Sequence, residues 1–306
     1  MNNNSDLAIL LATYNGEKYL REQLDSILSQ TFKNWELYIH DDASSDSTPA
    51  IISDYASLFP QKIHVLNSPA TGSAKDNFMF LMNNIDSPYI AFCDQDDYWH
   101  PDKLEKSLSE MHDVENELGA DIPVLVFSEL SVVDEHLQPI CDTLSAFQNL
   151  DCTRTNFEKL LLQNVATGCT VVINRALLTL ARTENTSGIV MHDWWCALVA
   201  SRFGVISFIS EPLVDYRQHS SNSVGALDVN SASYAKKKLS DTSRIQKDLS
   251  DTRLQAKCFA DKFNDTFSES YSSLGEKSKL SRINFYLKND MWKKGLLRNL
   301  SLILYG

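Results

Sequence analysis

The chain has 306 residues, 43% of them apolar and 10% aromatic, and its 40 Asp and Glu against 28 Lys and Arg give a formal charge of -12. That length and apolar content support a sizeable core and exclude general disorder, while the acidic balance argues against non-specific nucleic-acid binding, which needs a basic surface. The six cysteines are scattered with no C-x-x-C spacing, so they read as reduced thiols of a cytosolic protein rather than a disulfide or zinc framework.

Leu7–Ala12 is an apolar run with no Lys or Arg before it. It is too short for the core of a signal peptide or for a membrane span, and it reads as a first strand of a soluble or peripheral protein. Apolar side chains at Leu20, Leu24, Ile27 and Leu28 then recur at helical steps. Trp35–His40, Ile63–Leu66 and Tyr89–Cys93 read as three more strands, with a helix over 76–84 before the last. This alternation predicts strand, crossover helix and parallel strand, repeated. Val124–Phe127, Thr170–Ile173 and Val205–Ile209 look like further strands in a less regular region, where a helix carries His192-Asp193-Trp194-Trp195. From about residue 227 the composition shifts, and residues 228–261, rich in Ser and Lys, are predicted to be helical and exposed. The reading is a main domain over 1–226 and a helical extension over 227–306.

Three predicted strands end in polar clusters: Thr13-Tyr14-Asn15-Gly16, Asp41-Asp42-Ala43-Ser44-Ser45-Asp46 and Asp94-Gln95-Asp96-Asp97. Ligands of open parallel sheets bind beyond the carboxyl ends of the strands, so the three clusters should line one crevice. Three carboxylates in four residues repel one another unless compensated, and a hard divalent cation bridging to a substrate diphosphate suits them best. An acidic turn capping a helix that starts at Pro101 is the plainer alternative. The Asp41 stretch reads equally as a helix cap and as a carboxylate that accepts the imide N–H of a uracil or thymine ring.

The three clusters, in this order and spacing, resemble the inverting family-2 glycosyltransferases, which have the GT-A fold; the likeness is specific over residues 5–110 and looser to about 225. Within that family the chain looks most like bacterial rhamnosyltransferases of surface-polysaccharide assembly, which often carry the same tetrad and a segment like Tyr216-Arg217-Gln218-His219. The resemblance implies that Thr13, Tyr14 and Glu17 touch the nucleoside, Tyr14 stacking on the pyrimidine, and that Asp42 accepts from its N3–H. It places Asp94 and Asp96 at the ribose and sugar phosphate, Asp96 and Asp97 on a Mn²⁺ or Mg²⁺ ion, and His219 as a further metal contact. Asp193 falls where the family has its acceptor-deprotonating acid. Family members commonly have a basic residue followed by Asn before the fourth strand; here Lys75 and Asn77 fill that role with Asp76 between them, and His192 stands where many relatives have a second acid.

Residues 277–306 hold seven Lys and Arg against Asp290 alone, and Leu280, Ile283, Leu287 and Met291 recur at three- and four-residue steps, followed by Trp292, Leu296, Leu297, Leu300, Ile303 and Leu304. A basic amphipathic helix of this kind reads either as a binder of anionic membrane surfaces or as a helix packed on the acidic body or on the second subunit of a homodimer. The expected function is a metal-dependent inverting glycosyltransferase, cytoplasmic and peripheral on the inner face of the membrane. It would move L-rhamnose from dTDP-rhamnose to a lipid-linked glycan. A UDP-hexose or UDP-N-acetylhexosamine donor is the nearest alternative, and a non-catalytic nucleotide- or glycan-binding module is the alternative of another class.

Overall fold

In the computed structural model, which describes residues 5–220, 222 and 242–305, the four expected N-terminal strands lie side by side. They are β1 (Leu7–Thr13), β2 (Trp35–Asp41), β3 (Ile63–Val65) and β4 (Tyr89–Cys93). β1 pairs in parallel with both β2 and β4, Leu7 standing opposite Trp35 on one side and Tyr89 on the other. Parallel neighbours need crossovers, and α1 (Leu20–Leu28), α2 (Thr48–Leu58) and α3 (Ala74–Asn84) supply them. α3 starts where the Ser73 side chain accepts from Asp76 N, a side-chain cap. Since both sheet faces are covered, β1 feeds two cores alternately: Ala8 and Leu10 enter one, Leu7, Ile9 and Leu11 the other.

The chain continues through β5 (Tyr98–Trp99), α4 (Lys103–Leu118), β6 (Val124–Val133), β7 (Pro139–Cys141), α5 (Leu144–Phe147) and α6 (Phe157–Leu160). It then forms β8 (Val172–Asn174), α7 (Arg175–Ala181), α8 (His192–Phe203) and β9 (Val205–Arg217). Among the described residues the strands make one sheet in the order β3-β2-β1-β4-β8-β6-β9-β5, with β7 on β6. The N-terminal half is parallel as predicted. The other half is mixed, because β8 runs antiparallel to β4 and β6 while β6 and β9 are parallel. β8 begins later than the expected Thr170 because Gly168–Thr170 closes a 3₁₀ turn first. β9 runs past the expected Ile209 and so delivers Arg217 to the carboxylate tetrad, where its N–H donates to Asp97 Oδ1 at 3.2 Å.

Four helices follow: α9 (Thr242–Phe263), α10 (Thr266–Ser272), α11 (Lys279–Lys288) and α12 (Leu296–Tyr305). The proposed boundary at 226/227, and residues 228–241 of the stretch expected to be exposed, lie outside the described residues. From 242 onward the expectation of an exposed helix is corrected. α9 buries Ile245, Leu249, Thr252, Ala256 and Phe259, a four-three-four-three stripe in a segment that is polar on average. Phe259 is fully buried, its ring 5.0 Å from that of Phe157 and 5.7 Å from that of Trp195, so the C-terminal helices share a core with the main body. The tail is also not one helix. It breaks between α11 and α12, where Asp290 and Gly295 take left-handed backbone at φ 49° and 101°.

Phe259→Ala should therefore lower the unfolding free energy by about 3–5 kcal/mol, the usual range for emptying a buried aromatic site. Denaturant unfolding followed by tryptophan fluorescence and by far-UV circular dichroism should give one coincident transition. Two resolved transitions would mean that the C-terminal helices fold apart from the body.

Candidate active site

The loops after β1 and β2 are sewn together before any ligand is considered. Thr13 Oγ1 donates to Asp41 Oδ1 at 2.8 Å, Asn15 N to Ser44 Oγ at 2.8 Å, and Gly16 N to Thr48 Oγ1 at 2.8 Å. Ser47 N donates to Glu17 Oε2 at 2.8 Å, so Glu17 braces the second loop. The third cluster joins through Gln95, whose amide accepts from Tyr14 N and donates to Tyr14 O, both at 2.9 Å. A Cβ on Gly16 would lie 2.3 Å from Gln95 Oε1, so a larger residue there would displace the Gln95 amide from Tyr14. Asp42 holds a fourth segment: Oδ1 accepts from Thr71 N and from Thr71 Oγ1 at 2.9 Å, and Oδ2 accepts from Gly72 N at 3.0 Å. Asn77, on α3, is buried and locked to His40, whose Nδ1 lies 2.9 Å from Asn77 Oδ1.

These strand ends open on a cleft of about 1040 Å³. Thr13, Tyr14, Asp42, Asn77, Asp94, Asp96 and Asp193 all line it. Glu17, Lys75, Asp97 and His219 are not among its lining residues, Glu17 being exposed and Asp97 buried. Lys75 Nζ donates to Thr186 O at 2.8 Å and pairs with Asp76 at 3.0 Å. His219 Nε2 lies 2.9 Å from Asp96 Oδ2, and its ring packs 4.7 Å from that of Tyr19. Tyr14 is 59% exposed, an open aromatic face at the mouth.

Within the tetrad the three carboxylates part ways. Asp94 and Asp96 face the cleft, whereas Asp97 is fully buried beneath it. Burial, with the charges of Asp96 and Asp94 behind it, pushes the Asp97 carboxyl well above the usual range. Burial, then the charges of Asp96 and Asp193, raise Asp94 to about 7. Two cations lie beside this floor: Arg217, itself 1% exposed, donates from Nε to the backbone Asp96 O at 2.9 Å and from Nη1 to Glu135 O at 2.8 Å, and pairs with Glu22. A second, Lys103, is fully buried with its ammonium 3.7 Å from the centre of the Trp99 ring, and burial lowers it to about 8. Sequence reasoning assigned a role to neither. Arg217 sits inside the Tyr216–His219 motif, which was the available signal; Lys103 gave none, being one of several lysines on a helix.

The donor atoms available fit a hard divalent cation. Ligand atoms of Asp94, Asp97 and Cys169 lie within 4.8 Å of one another, and Asp97 Oδ2 is buried with no hydrogen-bond partner among the described residues. Burial holds the Cys169 thiol protonated, its pKa well above the ordinary value, so carboxylate oxygen is the ligand this floor offers.

Asp193 occupies the first turn of α8, where free N–H groups and the helix dipole favour a carboxylate. Its Oδ1 accepts from Trp194 N at 2.6 Å, and Gly168 N and the Asn164 side chain also donate to the carboxylate. Burial nonetheless outweighs these bonds and raises Asp193 to about 7, the range in which a carboxylate accepts protons at neutral pH. Trp194 is tied back by its Nε1, which donates to Leu160 O at 2.6 Å. Asn164 and Gly168 escaped sequence reasoning, since nothing local marks a loop amide that meets a helix start 25 residues on.

A profile of the family described as Glycosyl transferase family 2 matches residues 8–179. The dTDP-rhamnosyl transferase RfbG of Shigella flexneri is 31% identical over 230 residues, 71% of this chain and 74% of its own length. Among solved structures, S. aureus TarS 1-349 in complex with UDP-GlcNAc superposes with a TM-score of 0.53 at 16% identity, over 93% of this chain and 79% of that one. The mannosyltransferase PcManGT from Pyrobaculum calidifontis, in complex with GDP-Man and Mn²⁺, gives a TM-score of 0.51 at 16% identity, over 88% of this chain and 70% of that one. The architecture is accordingly the GT-A fold.

Beside Asp193, His192 is stacked 3.9 Å from the Phe78 ring and edge-on to Phe92 at 4.7 Å, and neither ring nitrogen has a partner among the described residues. Burial pushes its pKa down to about 3 from 6.5. A depressed imidazole stabilises the fold fully above its unfolded pKa and loses that contribution as pH falls from about 6.5 toward 3. His192→Phe keeps the stacked ring and removes the proton site. The pH slope of the unfolding free energy between pH 6 and 4 should then flatten by up to about 1.4 kcal/mol per pH unit. An unchanged slope in equilibrium denaturation would place the acid sensitivity elsewhere.

Proposed function

The chain belongs to glycosyl transferase family 2, and from that premise we propose that it moves an L-rhamnosyl unit from dTDP-rhamnose, with inversion, to a hydroxyl of a growing lipid-linked cell-surface glycan. The observation that carries the catalytic part is the gathering, in one cleft, of a single helix-borne carboxylate, Asp193, and the strand-end carboxylates Asp94 and Asp96. The rhamnosyl part is supported by the 31% identity to a dTDP-rhamnosyl transferase.

In this reading the nucleoside lies over the β1 and β2 loops, with its pyrimidine on the exposed face of Tyr14 and beside Asp42. Thr13 and Asn77 complete the donor wall from below. Asp94, Asp96 and Asp97 would hold a Mn²⁺ or Mg²⁺ ion, which would supply Lewis-acid neutralisation of the departing diphosphate. His219 bonds to Asp96, and Arg217 fixes the backbone that carries it. Asp193 accepts the proton of the attacking hydroxyl. Its carboxylate is oriented by Trp194 N, Gly168 N and Asn164, so it reaches the acceptor from a fixed position. Inversion needs this one base and no protein nucleophile.

We also propose a place at the cytoplasmic face of the membrane. Among the described residues no helix is long and apolar enough to cross a bilayer. Leu280, Leu287, Leu296 and Leu304 are nonetheless 51–81% exposed on the basic tail, a pattern that fits burial among anionic headgroups. Binding to phosphatidylglycerol vesicles that weakens with salt supports this; a salt-independent dimer with no vesicle binding would reassign the leucines to an interface between copies.

Asp193→Asn should lower turnover of dTDP-rhamnose by about 10²-fold or more, the scale of losing a general base, while dTDP affinity by calorimetry survives. Loss of dTDP binding with unchanged turnover would move Asp193 into the donor pocket. Asp96→Asn should abolish most activity, and EDTA should silence the wild-type protein until Mn²⁺ or Mg²⁺ is restored. Full activity of the variant in excess EDTA overturns the metal assignment. A panel of nucleotide sugars that favours UDP-hexose or UDP-N-acetylhexosamine would keep the mechanism and replace the donor.

A further inference from the structure

Residues 289–295, which link α11 to α12, lie against the stretch 148–167, which runs from the end of α5 through α6 to the 3₁₀ turn before β8. Met291 is fully buried at this seam. Arg298 donates from Nη2 to Gln148 O at 2.7 Å and from Nη1 to Asn149 O at 2.8 Å, and Lys294 Nζ donates to Leu150 O at 2.8 Å. Three consecutive carbonyls are thus held by two side chains from the far end of the chain. They belong to a stretch with no strand ladder, whose later part is anchored by α6 and by the buried Phe157, Leu160, Leu161 and Leu162, so these bonds fix its first residues. In the other direction Arg154 donates to Trp292 O, and Lys159 pairs with Asp290 at 2.9 Å.

The held stretch leads to the groups around Asp193. Leu160 O accepts from Trp194 Nε1, and the Asn164 side chain donates to the Asp193 carboxylate. Gln148, Leu150, Asn164 and Arg298 all line the cleft on this side. The donor wall uses none of these bonds; Asp41, Asp42 and Gln95 brace it.

We propose that Arg298 and Lys294 are positioning residues for the acceptor: they set the wall 148–167 against which a sugar ring lies when its hydroxyl faces Asp193. The inference rests on Asp193 being the base. It makes the C-terminal segment part of the transfer machinery on the acceptor side alone.

The test uses the full chain with Arg298→Ala and Arg298→Lys; lysine keeps the charge and much of the stem but cannot donate to two adjacent carbonyls as a guanidinium does. Amide hydrogen exchange followed by mass spectrometry should be about ten-fold faster or more over 148–166 in both variants, the scale of losing charge-assisted hydrogen bonds. Exchange over 35–41 and 89–97 should be unchanged, and so should dTDP affinity. With dTDP-rhamnose and water as the acceptor, the donor KM should stay within about two-fold while kcat falls about ten-fold, because a displaced Asn164 misplaces the base. Wild-type exchange over 148–166 in either folded variant overturns the proposal, as does a donor KM that rises with kcat unchanged. If Arg298→Ala does not fold, Arg298→Lys decides alone. The exchange measurement needs no sugar donor, so a wrong donor assignment leaves it intact, and a fully active Asp193→Asn variant marks failure of the base reading separately.

Discussion

Four carboxylates, Asp94, Asp96, Asp97 and Asp193, meet around one poorly solvated floor, and much of the surrounding structure answers their mutual repulsion. Two unit charges 4 Å apart interact by about 4 kcal/mol at the effective dielectric of a protein edge, so the four cannot all be ionised there without compensation. The fold answers in three ways. Arg217 and His219 bond to the tetrad directly, Lys103 places an ammonium beneath it, and the start of α8 lends Asp193 its N–H groups. Burial raises the carboxyl pKa values of Asp94, Asp97 and Asp193, and at Asp94 and Asp97 the neighbouring carboxylate charges add to it. A diphosphate donor brings further negative charge into the same space, which is why a divalent cation belongs in the proposed chemistry.

The parts of this arrangement that were legible in the sequence are those fixed by short-range pattern. β1 to β4 are short runs of three to seven residues, three of them ending in polar clusters, and parallel pairing of such runs forces their ends to one edge. Thr13, Asp42, Asp94 and Asp96 therefore arrive in one cleft on topology alone. The direction of each side chain is another matter. Asp96 and Asp97 are neighbours in the tetrad, yet one faces the cleft and the other is buried with its backbone partner on β9, 120 residues away. The family resemblance makes Asp42 and Glu17 ligand contacts; their side chains also bond to Thr71, Gly72 and Ser47, and no pattern within either loop announces those partners.

α9 was misread for a different reason. Averaged over its length it is polar, and composition hides a stripe that occupies one side of a helix. Counting steps from Ile245 to Phe259 recovers it, because a buried face needs only every third or fourth residue. The tail was misread in the opposite sense: its apolar steps continue through 289–295, but Asp290 and Gly295 take backbone conformations that end a helix, and the break is what lets Arg298 and Lys294 reach back to residues 148–150.

The mixed half of the sheet then acquires a purpose. Had β8 run parallel to β4, its leading end would lie at the opposite edge, far from the tetrad. Running antiparallel, it starts at the cleft edge, and the Gly168–Thr170 turn ahead of it falls beside the carboxylates. Gly168 N reaches Asp193 there, and a Cβ at that position would lie 3.1 Å from His192 Nε2 and 3.6 Å from Asp193 Cβ. The first of those distances is tighter than ordinary packing allows, and the ring that would have to give way is already stacked on Phe78. The bare glycine thus leaves room for the His192 ring and the Asp193 Cβ, so the start of α8 seats the base against the turn that precedes β8.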